Sequence, residues 1–302
     1  MVSKPFIELI DSSTYGSKMP RASADYIGIQ RVPIPPIIER TAIANFLDRK
    51  TTKIDQAIAI KEKQIALLKE RKQILIQNAV TRGLDPDAPM RDSGVEWIGE
   101  IPGHWVIKRF KHFTKILSGY SPEQVFFTSD ENIDYFKVDD LNNIDQNYRL
   151  NNSKWFIKGP IQSYPSGLLL FPKRGAAIGT NKVAITIRES VFDTNVMGLL
   201  LDKTVVNCDF IAMWLMQRNL ITISDTTTIP QINNKHINPL QIALPDFEEQ
   251  TAIVAHIETQ SAKIDKAIAI QQRQIEKLRE YKATLINSAV TGKIKVLDGA
   301  WT

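Results

Sequence analysis

Between residues 148 and 235 of this 302-residue chain, cationic, amide and hydroxyl side chains gather at turn-forming positions. Lys173-Arg174-Gly175 and Thr180-Asn181-Lys182 flank a glycine-bearing turn. Tyr148-Arg149, Lys154-Trp155 and Lys158 interleave basic groups with aromatics, and Gln231, Asn233, Asn234 and Lys235 make a second polar loop. Cations hold phosphates, and amide, hydroxyl and guanidinium groups meet base edges, so this is the residue set that reading a nucleic acid requires. Plain surface placement explains any one of these residues as well, and the set gains meaning only from the domain that carries it.

Other chemistries find no residues to perform them. His104, His112, His236 and His256 are scattered, with no spacing that brings metal ligands to one helical face, so no metal is assigned. There is no glycine-rich phosphate loop, no paired-glycine cofactor turn and no Asn-Pro-Pro-aromatic motif. Pro245-Asp246 is the nearest approach to a nuclease signature, but no Glu-x-Lys triplet follows it and it sits where a helix cap is expected. Cys208, the single cysteine, excludes an internal disulfide framework and a cysteine-rich zinc site, and its apolar setting reads as inert. The reading is of a non-catalytic chain.

A formal net charge of +5 favours a polyanionic partner without requiring one. The opening Met1-Val2-Ser3-Lys4-Pro5-Phe6 has no apolar signal core, and apolar stretches such as Phe210 to Met216 are too short to cross a bilayer. A cytoplasmic protein with no membrane partner is expected.

The elements that must position these loops are organised by a long internal repeat. Thr41-Ala42-Ile43 through Lys53-Ile54-Asp55-Gln56-Ala57-Ile58 returns as Thr251-Ala252-Ile253 through Lys263-Ile264-Asp265-Lys266-Ala267-Ile268. The offset holds without a gap to Ala79-Val80-Thr81 against Ala289-Val290-Thr291. Apolar residues recur at steps of three and four: Leu47, Ile54, Ile58, Ile65, Leu68 and Leu75, answered by Ile257, Ile264, Ile268, Ile275, Leu278 and Leu285. That spacing predicts two coiled-coil helices, each roughly 42 residues and about 60 Å long, too long to stand without a partner. Pro35-Pro36 marks the first start. Asp246 marks the second as a cap, with Glu249 at the capping-box position. Two seam positions are polar in both copies, Lys61 with Gln271 and Lys72 with Lys282, either snorkelling at the seam edge or setting register against another chain.

Between the helices the pattern changes to short strand-like runs such as Gly167–Phe171, Lys182–Ile187 and Val196–Leu201, with one apolar helix expected over Asp209–Arg218. This predicts one compact, mostly β domain of mixed character, entered through the polar, proline-bearing stretch 82–89. Trp97, Ile101 and Trp105 read as core or helix-docking residues rather than base-stacking ones. The repeat also reaches upstream, placing Lys18-Met19-Pro20 and Tyr26-Ile27 opposite Thr228-Ile229-Pro230 and His236-Ile237. By internal comparison the first thirty-odd residues are therefore the tail of a domain whose body is not in this sequence.

The phrase Asp92-Ser93-Gly94-Val95-Glu96-Trp97-Ile98-Gly99-Glu100-Ile101-Pro102-Gly103-His104-Trp105 resembles the opening of a target recognition domain in the specificity (S) subunits of type I restriction-modification systems. Phe171-Pro172-Lys173-Arg174-Gly175-Ala176-Ala177-Ile178-Gly179 resembles that family's central element. Thr228-Ile229-Pro230-Gln231-Ile232, followed by Leu244-Pro245 and Glu249-Gln250, resembles its closing element. The resemblance implies an α+β protein: one mixed, mostly β target recognition domain plus two long antiparallel helices forming a coiled coil. The expected segments are a tail of a first recognition domain at 1–35, a spacer helix at 36–81, the recognition domain at 82–245, a second spacer helix at 246–291 and a C-terminal tail at 292–302.

The resemblance further implies double-stranded DNA and methyltransferase (M) subunits as partners, with restriction (R) subunits joined through the complex. S-adenosylmethionine, ATP and magnesium are then cofactors of those partners and not of this chain. With one complete recognition domain, a bipartite target calls for a homodimer or for pairing with another S fragment. The competing reading is a truncated, regulatory or inactive remnant that binds the methyltransferase subunit without reading a full target.

Overall fold

In the computed structural model the described residues are 4–16, 19–128, 132–145, 147–225 and 229–296; Lys18 and Thr228 of the repeat, Met1 to Ser3, and 297–302 of the expected tail lie outside them. The chain runs α1 (Lys4–Ser12), α2 (Ala24–Gly28) and α3 (Ile37–Arg82), then strands β1 (Met90–Asp92), β2 (Glu100–Pro102), β3 (Val106–Arg109), β4 (Thr114–Ser118), β5 (Phe127–Thr128), β6 (Ile133–Phe136), β7 (Arg149–Leu150), β8 (Phe156–Ile157) and β9 (Leu169–Pro172). It continues with β10 (Ala184–Thr186), β11 (Ser190–Phe192), β12 (Val196–Leu201), α4 (Cys208–Gln217), α5 (Asn234–Ile237), β13 (Gln241–Leu244) and α6 (Phe247–Val290). Its contacts form two compact units, Met1–Glu70 with Ile264–Thr302, and Arg71–Lys263.

In the first unit α3 and α6 lie antiparallel. Asp55 takes the Lys282 ammonium at 2.6 Å, Glu62 takes the Arg279 guanidinium at 3.1 Å, and Lys61 donates to Gln271 at 3.1 Å and to Gln274, so numbers rise along one helix as they fall along the other. The seam between them buries Leu47, Ile54, Ile58, Ile275, Leu285 and Ala289, with Ile65 and Leu278 packed beside. Each buried aliphatic side chain stabilises by about 1.5–3 kcal/mol, whereas an exposed ion pair contributes on the order of 1 kcal/mol or less. The apolar seam therefore holds the pair and the polar contacts choose its register. This answers the question left by Lys61 and Lys282: both reach across the seam to the other helix of the same chain.

Not every expected seam residue lies in that cluster. Ile264 and Ile268 are buried and Leu68 half-buried. Leu75 and Ile257 pack instead into the core of the second unit, because there the helices present the same stripe to a domain.

The second unit, Arg71–Lys263, is built on a five-stranded sheet of order β4-β12-β9-β10-β7 and a four-stranded sheet of order β11-β6-β8-β5. β9 and β12 are continuous apolar runs because both their faces are covered. Leu169, Phe171, Met197, Leu199 and Leu201 join the core around α4, while the alternate residues Leu168, Leu170 and Val196 join a second core with Phe136, Leu150 and Phe192. Gly198 is required by the second core: a Cβ there would stand 2.5 Å from the Phe192 ring.

The apolar helix starts one residue earlier than expected. Asn207 caps it, its side-chain oxygen accepting from the amides of Asp209 and Phe210 at 2.9 and 3.3 Å. α4 buries Phe210 through Leu215 without a break, as a helix covered on every side must.

The second unit is closed by β13, antiparallel to β3, and by the ends of the long helices, whose Ile76, Ala79, Val80, Ile253, Val254 and Ile257 enter its core. Asp246 caps α6 as expected, accepting from Glu249 N at 2.8 Å. The capping-box reading of Glu249 needs correction: its carboxylate accepts from the Trp105 indole at 3.1 Å and meets His104 Nε2 at 2.8 Å. A buried indole N–H without an acceptor is costly, and this demand outweighs the local box. Trp105 and Ile101 are core residues, but Trp97 is half-exposed, edge-on to Trp214 with the Arg218 guanidinium 4.5 Å from its ring centre. Trp105→Ala should destabilise the protein by about 3–5 kcal/mol, read as a lowered urea midpoint; a loss under about 1 kcal/mol would show that the Glu249 contact does not anchor α6.

Candidate nucleic-acid interface

Strand direction decides which loops meet. β6 and β11 are parallel, pairing Phe136 with Phe192, so Lys137 and Asp193 leave their sheet at one edge. β8 runs antiparallel to β6, so Lys154 and Trp155 enter at that same edge. In the larger sheet the end of β9 pairs with the start of β12, Pro172 with Val196, and the end of β4 lies beside it, Ser118 with Met197. One backbone bond joins the two edges, Tyr120 N to Phe192 O at 3.0 Å, while Asp193 N to Phe136 O and Lys173 N to Asn195 O, both at 2.9 Å, extend the pairing within the smaller and the larger sheet.

Onto this edge the chain folds its closing loop. Gly175 N donates to Pro230 O and Ile232 N to Lys173 O, both at 2.8 Å, and Arg174 bridges Gln231. The two polar segments singled out in the sequence thus form one surface. Gly175, at φ +75°, makes the turn. Arg174 is exposed and Lys173 half-buried, and among the described residues neither meets a carboxylate.

In the facing loop Lys235 and His236 reach Asp225 at 2.8 and 3.2 Å, and the Lys235 hydrogen bond is the main cause holding the Asp225 carboxyl below its usual range. Asn233 N donates to His236 Nδ1 at 2.9 Å, Gln231 Nε2 donates to the Asn233 side chain at 3.3 Å, and Asn234 is exposed.

Lys137 escaped sequence reasoning. Its ammonium stands 3.8 Å from the Trp155 ring centre and 5.8 Å from those of Phe127 and Tyr135, on the same edge as Lys154, and Trp155 is 44% exposed. A lone lysine between Phe136 and Val138 carries no local signal. Below it the Tyr135 hydroxyl donates to Tyr120 O at 3.1 Å and to Asp193 at 3.4 Å. Burial, and then the Asp193 charge, push its pKa to about 12, so it remains a donor.

Other expected residues fall elsewhere or serve the fold. The Arg149 guanidinium is bound to Asp209 of α4 at 2.8 Å, and Tyr148, at φ +62°, packs against the main core. Asn181, at φ +52°, accepts from Leu220 N at 3.0 Å and donates to Met216 O. Thr180 donates to Ala177 O, and Lys182 reaches Asn142. Lys158 is exposed at the other end of β8. Burial raises the Cys208 thiol pKa, which disfavours the thiolate. Among the described residues no group of three or more His, Cys, Asp or Glu side chains is placed to hold a metal ion, and no helix is long and apolar enough to cross a membrane.

The sequence pattern described as type I restriction modification DNA specificity domain matches residues 102–280. The chain is 24% identical over 284 residues to a protein assigned as the type I restriction enzyme MjaX specificity subunit of Methanocaldococcus jannaschii, a match over 88% of this chain and 60% of that protein. It is 24% identical over 305 residues to the MjaVIII specificity subunit of the same organism, covering 95% and 67%. The chain thus spans about three fifths to two thirds of the length of these relatives. In fold it is similar to a chain from a solved structure on complex assembly and conformational transition of the type I R-M system, with TM-score 0.77, 14% identity and coverage of 97% of this chain and 69% of that one. It is also similar to the HsdS subunit from Thermoanaerobacter tengcongensis, with TM-score 0.60, 15% identity, and coverage of 96% and 68%.

Proposed function

Because the chain belongs to the type I restriction modification DNA specificity family, we propose that it reads DNA sequence as the non-catalytic specificity subunit of a type I restriction-modification complex. The observation that carries this reading is the joining of the Lys173-Arg174-Gly175 turn to the Gln231–Lys235 loop, which sets two uncompensated cations beside amide groups on one surface. The cations hold phosphates and the amides meet base edges. Lys137 and Trp155 extend the surface along the strand ends.

The antiparallel helices act as a spacer that fixes the separation of two reading heads, as dimeric DNA-binding proteins fix half-site spacing. A bipartite target then requires a second head, supplied by another copy or by another S fragment. The methyltransferase subunits bring S-adenosylmethionine, and the restriction subunits, joined through the complex, bring ATP and magnesium chemistry.

Co-expression with a methyltransferase subunit, followed by mapping of methylated adenines, tests the proposal. An interrupted target methylated only when this chain is present is the expected result. Co-purification without methylation or DNA retention would instead make the chain a remnant that binds its partner and reads nothing.

A further inference from the structure

Residues 19–39 repeat the piece of chain that closes the second unit, and with Tyr15 they repeat its local structure. The bridge between Tyr15 and Arg21 answers that between Asp225 and Gln231, and α2 after Ser23 answers α5 after Asn233. Each is followed by a short connecting run, which in the second copy is β13, and by a long helix.

In the second copy the piece is sealed. Ile237 and Ile242 are fully buried and Leu244 is 3% exposed, β13 lies on β3, and Glu249 takes an indole N–H. In the first copy the side chains at the same positions are bare: Ile27, Val32 and Ile34 are 40, 52 and 71% exposed, and Glu39, at the Glu249 position, is exposed as well.

Two details say what fits there. The bond from Phe110 N to Leu240 O makes 110 and 240 a hydrogen-bonded pair, so by alternation 108 with 242 and 106 with 244 are also hydrogen-bonded, and the Ala243 N–H points away from β3. The first copy has Pro33 at that position, where a missing N–H costs the ladder nothing, and keeps Val32 and Ile34 as donors. Secondly, Gln241 lies opposite Arg109 in β3, and the first copy has Arg31 in its place. A second copy of this chain would set Arg109 against Arg31, and its β3 is already paired with its own β13.

We propose that residues 19–39 are a ready-made closing piece for a second recognition domain of this same build, whose counterpart of β3 adds antiparallel to Arg31–Ile34 with an acidic residue opposite Arg31 and an indole N–H on Glu39. This is strand addition to an exposed edge, with main-chain bonds giving affinity and alternate side chains giving selectivity. It stands on the repeat, independently of any reading of DNA.

The probe is a tagged fragment of this chain, residues 84–228 with Arg109→Glu, which lacks its own closing strand and both long helices. Co-expressed with the untagged full chain, it should retain the full chain through purification. Val32→Asp in the full chain, at an exposed position, should lower the recovery by about tenfold or more, since it sets a carboxylate in the core of the joint. Restoring Arg109 in the fragment should weaken capture by a few-fold, and Arg31→Glu in the full chain should recover it.

A peptide of residues 100–112 with Arg109→Glu needs no fold of its own. It should slow amide exchange at Val32 and Ile34 and leave Arg31, whose N–H faces outward, unchanged. Capture that survives Val32→Asp overturns the proposal. So does the absence of both capture and amide protection, and so does self-association of the full chain that Val32→Asp abolishes, which would make a second copy the occupant.

Discussion

Replacing Lys173 and Arg174 together by alanine should lower affinity for duplex DNA by roughly one to two orders of magnitude at low salt and reduce the slope of log K against log salt by about two. Both cations lie where the β9 turn is pinned between Asn195 and the 230–232 segment, and the pins are backbone bonds that alanine retains. Neither side chain is fully buried or paired with a carboxylate among the described residues, so their removal leaves the fold intact. Each phosphate neutralised releases about 0.9 of a counterion, which ties the slope to the number of contacts. A fall in affinity with an unchanged slope would move these residues from phosphates to base edges; unchanged affinity and slope would remove the joined loops from the interface. Lys158→Ala, at the other end of β8, is the control and should leave the slope as it was.

Legibility in the sequence followed the range of the interaction. The helices were readable because their seam is a local period repeated twice, and β12 was readable over its whole span, Val196–Leu201, because both its faces are apolar. The polar loops were readable as loops, but their joining was not. Lys173 meets Ile232 through strand order and register, which no local pattern encodes.

The misreadings have the same origin. Asp246-x-x-Glu249 is a sound local box, overridden by a buried tryptophan far away in sequence whose N–H needs an acceptor. Tyr148-Arg149 looks like a basic group beside an aromatic, yet the guanidinium is paired with Asp209 of α4, a partner distant in sequence. Lys137 shows the reverse case, a residue that acquires an aromatic setting only when β8 pairs with β6 and brings Trp155 under it.

Lengthening both spacer helices by seven residues, between Lys63 and Gln64 and between Arg273 and Gln274, should widen the gap in the recognised target by about three base pairs and abolish methylation of the original site. Seven residues add about 10.5 Å of helix, and at the 3.5-residue period of the seam they complete two turns, so the apolar stripe resumes on the same face. The insertion points follow from the observed register. Asp55 with Lys282, Glu62 with Arg279 and Lys61 with Gln274 all lie to one side of both cuts, and only the Lys61 contact with Gln271 is parted. The same insertion in α3 alone would carry Asp55 about 10 Å past Lys282 and set buried Leu47 against the wrong neighbours, so it should cost stability rather than shift the gap. Mapping methylated adenines with the doubly lengthened chain decides the matter: an unaltered gap means that the helices hold the protein together without measuring DNA, and a gap wider by about three base pairs means that helix length is part of what the protein recognises.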